Sequence, residues 1–132
     1  MKFLVITFLA ILSLSAKSTE QNSGQELSQE VTATAYTIAE DETKKGHIGV
    51  AAWGDRLKPG MKAIAVSRDL IKKGLKHKTE VEIVGMGKFM VLDKMHRRWR
   101  NKIDILMTDK ASARKWGKRT VTIRWNLSTP SQ

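Results

Sequence analysis

Apolar and polar residues alternate through much of the chain after residue 30, which is the period-two pattern of β-strands. The first such segment runs from Val31 to Tyr36, with its apolar residues on one face and Thr34 and Tyr36 on the other. Five more strands are predicted at 63–67, 80–84, 88–92, 102–107 and 119–125. The turn Gly85-Met86-Gly87 joins the third and fourth of these strands as a hairpin.

Two short helical segments complete the pattern. Thr108 or Asp109 can cap a helix over 110–116, and Gly117 can end it. Residues 69–73 can form one further helical turn. Six short strands with one or two short helices predict a mainly β protein that folds as a small closed barrel, because closure removes the strand edges that an open sheet would expose.

The first thirty residues follow a different pattern. A basic start, an apolar run over 3–14 and small residues after it form the three-part pattern of a secretory signal peptide. We therefore predict a signal peptide over 1–16, a flexible spacer over 17–30, the folded domain over 31–126 and a disordered tail over 127–132. An uncleaved N-terminal tether is the alternative. In both cases the domain crosses the inner membrane, to the periplasm, the cell envelope or the medium.

Charge narrows the choice of partner. The chain has 132 residues, with 24 lysines and arginines against 13 acidic residues, a formal net charge of +11. Such a charge favours an anionic partner: a wall polymer, a lipid surface or a nucleic acid. The absence of cysteine excludes disulfides and a cysteine nucleophile. The three histidines do not have the spacing of metal ligands, so neither a metal nor a cofactor is predicted.

Two aspartates are the candidate catalytic residues. Asp93 ends the fourth predicted strand, and Asp104 lies in the fifth, between Ile103 and Ile105. The joined strands can bring the two carboxylates close together, and like charges at short range raise the pKa of one of them. A carboxyl group that stays protonated can protonate the leaving oxygen of a glycosidic bond. The alternative is two separate surface aspartates in ion pairs with nearby cations.

A basic segment, residues 94–102, separates the two aspartates and surrounds Trp99. Its basic residues are Lys94, His96, Arg97, Arg98, Arg100 and Lys102. A sugar can stack on the tryptophan while the cations hold phosphates or carboxylates. Nucleic acid is a second interpretation, against which the signal peptide argues. A solvated loop with Trp99 packed on the barrel is a third. For Trp53, too, we weigh two roles: a groove wall or a cover for the barrel.

Several of these segments together resemble the 3D domain, a family named for three aspartates. The similar segments are 31–36, 63–66, Gly74, 91–93, 101–105, Ala113, 116–117 and 121–123. The resemblance implies a double-psi β-barrel and kinship with the membrane-bound lytic transglycosylase A family and the stationary-phase muralytic proteins. Those enzymes cut peptidoglycan between N-acetylmuramic acid and N-acetylglucosamine and release a 1,6-anhydro sugar.

The resemblance also implies roles for single residues. Asp104 matches the general acid and base, and Asp93 would position the sugar or tune the pKa of Asp104. Thr34 and Tyr36 would line the groove. Three further residues are predicted to bind substrate: Trp53, Asp69 and Trp99.

Two positions depart from the family pattern. Ser67 stands where the first family aspartate belongs, with Asp69 two residues later. Residues 94–100 are bulky and basic where the family has glycines, which let a glycan approach the backbone closely.

The sequence thus predicts a secreted, peptidoglycan-active enzyme that cleaves glycan strands in the manner of a lytic transglycosylase. It is predicted to be a monomer, with no nucleic-acid partner and no stable membrane anchor after signal cleavage. A non-catalytic peptidoglycan-binding module on the same barrel is the alternative, and a basic interaction protein without a sugar ligand is the third.

Overall fold

The computed structural model describes residues 24–38 and 49–127. Its elements are β1 (Glu26–Tyr36), β2 (Ala63–Val66), α1 (Arg68–Lys72), β3 (Glu80–Ile83), β4 (Gly87–Lys94), β5 (Lys102–Leu106), α2 (Lys110–Trp116) and β6 (Arg119–Asn126). The six strands close into a barrel in the order β1-β5-β2-β4-β3-β6. The pairs β1–β5 and β2–β4 are parallel, and the other pairs are antiparallel. The predicted mainly β fold, a small closed six-stranded barrel with two short helices, is confirmed and is consistent with the double-psi type.

The barrel interior is filled by the apolar face of each strand. Its buried core residues are Val31, Ala33, Ile64, Val66, Leu70, Leu75, Val81, Ile83, Phe89, Val91, Ile103, Ile105, Ile123 and Trp125. Branched aliphatic side chains on alternate positions pack well against a pleated surface, which is why these segments form strands. Leu70 of α1 and Leu75 after it are fully buried and add helix and loop residues to this core.

The β1 strand begins at Glu26, five residues before the predicted start at Val31. It pairs antiparallel with β6 from Glu26 opposite Asn126 to Ala33 opposite Arg119. Residues 26–30, which the sequence assigned to the flexible spacer, therefore belong to the barrel. The predicted signal peptide, the start of the spacer and residues 128–132 of the predicted tail lie outside the described residues.

The α2 helix is positioned by its cap and by one tryptophan. Asp109 is the cap, and its carboxylate accepts the backbone N–H of Ser112 at 2.8 Å. Gly117 ends the helix with a φ of 65°, a conformation that glycine adopts without strain. The indole N–H of Trp116 donates to the carbonyl of Ala33 at 3.1 Å and so joins α2 to β1. Within the described ranges, no helix is both long and apolar enough to cross a membrane.

Candidate functional site

Four neighbouring strands bring Thr34, Asp104, Ala65 and Asp93 into one row on the outside of the barrel. Thr34 in β1 is opposite Asp104 in β5, Asp104 is opposite Ala65 in β2, and Ala65 is opposite Asp93 in β4. The Cα atoms of the two aspartates are separated by two strand spacings, about 10 Å. Only the small side chain of Ala65 lies between them, so the row leaves room for a ligand.

A β-bulge in β4 turns Asp93 towards this row. Phe89 and Val91 face the core, and simple alternation would send Asp93 to the core as well. The pairing with β2 shifts by one residue at this point, so Leu92 is the extra residue of the bulge. Bulges next to functional sites commonly redirect a side chain in this way.

Asp93 also holds the loop that precedes β2. Its Oδ1 accepts the backbone N–H of Ala52 at 2.8 Å and that of Lys94 at 2.9 Å. Residues 49–57 form a compact loop, closed by a bridge between Val50 and Arg56. Asp93 therefore anchors this 49–57 loop beside the row of outward-facing residues.

Tyr36 places a buried hydroxyl near both carboxylates. Burial raises the pKa of Tyr36, and the charges of Asp93 and Asp104 raise it further. The phenol is therefore protonated at neutral pH and acts as a hydrogen-bond donor. Its oxygen is buried and has no hydrogen-bond partner among residues 24–38 and 49–127, whereas Asp104 accepts the hydroxyl of Thr34 at 3.0 Å. An unsatisfied buried donor is costly, which favours a ligand oxygen at this point.

A cleft of about 370 Å³ opens over Tyr36, Ala65, Asp93 and Asp104, within the size range of small-ligand sites. Thr34, which is predicted to line the groove, contacts Asp104 but does not line this cleft. It is lined by Tyr36, Thr37, Ile38, Gly49, Val50, Leu57, Ala65, Asp93, Lys94, Met95, His96, Trp99 and Asp104. One part of this lining comes from the 49–57 loop and another from the basic segment. The cleft thus combines two carboxylates, a phenol and an exposed aromatic ring.

Trp99 is the exposed aromatic residue among those that line the cleft, with 37% of its surface accessible. The Nζ of Lys102 lies 3.7 Å from the ring centroid, and the guanidinium carbon of Arg98 lies 4.9 Å from it. Cation–π contacts of this kind fix the orientation of the ring. Part of the ring remains exposed to solvent.

Trp53 and Asp69 are predicted substrate-binding residues, but the structure places neither in the lining of this cleft. Trp53 packs on the core and stacks with His77 at 4.9 Å between ring centroids, while His77 contacts Asp55. For Trp53 these contacts favour the cover for the barrel over the groove wall. Asp69 accepts the backbone N–H of Asn101 at 2.9 Å and so fixes the start of β5.

Ser67, which the resemblance to the 3D domain aligns with that family's first aspartate, is fully buried. Its hydroxyl accepts the backbone N–H of Lys102 at 3.0 Å, and its own N–H donates to the Lys102 carbonyl at 2.9 Å. The serine thus joins β2 to β5 and supplies no carboxylate. Among the described residues, the cleft therefore contains two carboxylates, those of Asp93 and Asp104.

Two parts of the site have little or no signal in the sequence. Ala65 was assigned to a strand but not to the cleft, since a small residue in a strand has no distinctive pattern. The N–H of Ala52 is a backbone group, so no side-chain type could indicate its contact with Asp93.

Asp69 gives the fold an acid-sensitive contact. Burial alone would raise the pKa of Asp69, but hydrogen bonds from Ser67 and from the Asn101 backbone hold it below the usual 3.8. A carboxylate with a lowered folded-state pKa stabilises the fold above its ordinary pKa, and this contribution is lost as the pH falls through the folded value. We therefore expect Asp69→Asn to flatten the fall in thermal stability below pH 4. If the melting temperatures of the wild type and the variant fall equally from pH 7 to pH 2, Asp69 does not contribute to the loss of stability in acid.

No family model matches the chain. Two proteins of Bacillus subtilis (strain 168) are similar in sequence. The cell wall-binding protein YocH is 36% identical over 113 residues, which cover 82% of this chain and 37% of that protein. The putative cell wall shaping protein YabE is 36% identical over 96 residues, which cover 71% of this chain and 22% of that protein. The chain thus spans well under half the length of either relative.

Solved structures show the same fold at low sequence identity. The apo expansin of Clavibacter michiganensis superposes with a TM-score of 0.53 at 15% identity, over 80% of this chain and 53% of the expansin. The Streptomyces papain inhibitor superposes with a TM-score of 0.52 at 17% identity, over 77% of this chain and 96% of the inhibitor. Since an expansin and a protease inhibitor share the barrel, the fold alone does not decide the function.

Proposed function

We propose that the protein acts at the cell wall and cleaves peptidoglycan glycan strands in the manner of a lytic transglycosylase. The observation that carries the proposal is the position of Asp93 and Asp104, which flank Ala65 in one open cleft. Similarity to a cell wall-binding and a cell wall shaping protein supports the location. The resemblance to the 3D domain supports the type of reaction.

In the proposed reaction, Asp104 acts first as an acid and then as a base. It protonates the glycosidic oxygen as the bond to the anomeric carbon breaks and positive charge develops on the sugar. It then takes the proton of the sugar's own 6-hydroxyl as that oxygen bonds to the anomeric carbon. The proton returns to Asp104, and no water is consumed. Because the nucleophile is internal, the reaction does not need a second carboxylate to activate water.

The neighbours of Asp104 have supporting roles in this proposal. Thr34 fixes the orientation of the carboxyl group through its hydrogen bond. The negative charge of Asp93 stabilises the positive charge that develops on the sugar during the reaction. Tyr36 donates a hydrogen bond to a sugar oxygen, which would satisfy its buried hydroxyl.

The direct test is mass spectrometry of purified peptidoglycan after incubation with the protein. We expect products that end in 1,6-anhydro-muramic acid. Products with reducing ends would indicate hydrolysis. Protein that sediments with the wall without releasing any products would contradict cleavage.

A non-catalytic wall-binding module is the second candidate function. The burial of Ser67 favours it, because the site then lacks the first aspartate of the family pattern. In this case the cleft would hold a glycan strand through Trp99 and its cations. Equal sedimentation of the wild type and Asp104→Asn with the wall, with no products from either, would support the binding module.

Substitution of Tyr36 by phenylalanine should move stability and activity in opposite directions. Loss of an unsatisfied buried hydroxyl leaves the free energy of unfolding unchanged or raises it by up to about 1 kcal/mol. Loss of one hydrogen bond to the sugar should lower kcat/KM about fivefold. Chemical denaturation and product-release kinetics measure the two effects. A destabilised variant with normal kinetics would contradict this role for Tyr36.

A further inference from the structure

The basic segment has an unusual concentration of arginine. Three of the eight arginines in the chain lie within four residues, at Arg97, Arg98 and Arg100. All three are exposed, and residues 94–102 contain no acidic residue. The whole chain has 16 lysines and eight arginines, so the preference for arginine is confined to this segment.

These guanidinium groups have no acidic partner within the part of the chain that the structure describes. The ion pairs found there join Lys88 to Glu80 and His77 to Asp55, and both lie outside the segment. Several like charges on one short segment repel one another, and an anionic partner relieves that repulsion. The charge pattern therefore indicates a polyanion.

The backbone of the segment is held in place. The N–H of Met95 donates to the carbonyl of Val66 at 2.9 Å, and the side chain of Arg68 donates to the Met95 carbonyl at 3.3 Å. At the other end, Asn101 is tied to Asp69. A segment fixed at both ends presents its arginines with little loss of entropy on binding.

The segment is continuous with the candidate cleft. Met95, His96 and Trp99 line the cleft together with Asp93 and Asp104. The three arginines are chain neighbours of these lining residues, so a polymer bound in the cleft lies close to them. The anionic groups that they contact therefore belong to the same wall assembly as the glycan.

We propose that the basic segment binds the phosphodiester groups of an anionic polymer attached to the wall glycan. The planar guanidinium group matches the geometry of a phosphate with two parallel hydrogen bonds, which explains the choice of arginine over lysine. The contact holds the protein on the wall at the point where a strand enters the cleft. This inference rests on the proposed location at the wall and is independent of glycan cleavage.

The test compares two triple variants with the same change in net charge. One is Arg97→Gln/Arg98→Gln/Arg100→Gln, and the control is Lys76→Gln/Lys115→Gln/Lys118→Gln, at exposed positions outside the segment. Binding is measured on purified walls that retain their phosphodiester polymer and on walls stripped of it with hydrofluoric acid. On intact walls we expect about a tenfold loss of affinity for the arginine variant and about twofold or less for the control. On stripped walls the difference between the two variants should disappear.

Other outcomes would overturn the proposal. Equal losses in both variants would mean that net charge alone governs binding, and a difference that persists on stripped walls would point to carboxylates instead of phosphates. Tighter binding of single-stranded DNA than of linear poly(glycerol phosphate) at equal phosphate concentration would make the segment a nucleic-acid surface. If the affinity of the wild type for intact walls does not fall with added salt, the proposed contact with phosphodiester groups is also excluded. If this binding holds but no glycan products form, the proposed cleavage fails and the present inference stands.

Discussion

Asp104→Asn is expected to stop glycan cleavage while the fold and the binding to walls are retained. Asparagine has the same shape and can still accept the hydroxyl of Thr34, but it can neither donate nor take up the proton that the reaction moves. Loss of a general acid and base lowers rates by roughly 10²–10⁴-fold. The rate of release of anhydro-muramic products measures the effect directly.

The matched control for this variant is Asp109→Asn. Asp109 caps α2 at an exposed position, and asparagine is an equally good cap, so its rate and stability should equal those of the wild type. Wall sedimentation and thermal melting confirm that both variants are folded. The catalytic assignment fails if Asp104→Asn keeps the wild-type rate, or if the two variants lose activity equally.

Two substitutions of Asp93 should separate its charge from its hold on the 49–57 loop. Asparagine keeps an oxygen that can accept the N–H groups of Ala52 and Lys94 but removes the charge, whereas alanine removes both. We expect Asp93→Asn to lower kcat by roughly 10–100-fold with little effect on stability. Asp93→Ala should lower kcat at least as much and also lower the free energy of unfolding by about 1–2 kcal/mol, because two backbone donors lose their partner.

Steady-state kinetics and urea denaturation of both Asp93 variants measure these effects. A normal kcat in Asp93→Asn would contradict a role for the charge. Equal stability of the two variants would contradict the anchoring of the loop. The role of the charge and the anchoring of the loop can therefore be disproved independently.

Most of the barrel could be predicted because its strands alternate in sequence. The β5 strand shows why: Ile103 and Ile105 are buried, so Asp104 must face outwards. The first part of β1 could not be found in the same way. Residues 26–30 are mostly polar, and their strand conformation comes from backbone pairing with β6, a contact distant in the chain.

The candidate site was harder to predict than the fold. Alternation alone would have buried Asp93 with Val91, and only the bulge at Leu92 brings it into the same row as Asp104, on the other side of Ala65. A bulge depends on pairing with a neighbouring strand, so a single strand gives little sign of it. The stacking of Trp53 on His77 could not be predicted for a similar reason, because the two residues are distant in the chain and come into contact only in the folded protein.

An NMR titration of ¹⁵N-labelled Asp104→Asn shows where on the barrel the glycan binds. The ligand is a soluble tetrasaccharide of alternating N-acetylglucosamine and N-acetylmuramic acid, which this variant should bind without cleaving. We predict chemical-shift changes at the backbone amides of Ala52 and Ala65 and at the indole of Trp99. Changes confined to the separate groove lined by Glu82, Lys88 and Arg124, or no changes at saturating ligand, would contradict binding of the glycan in the cleft.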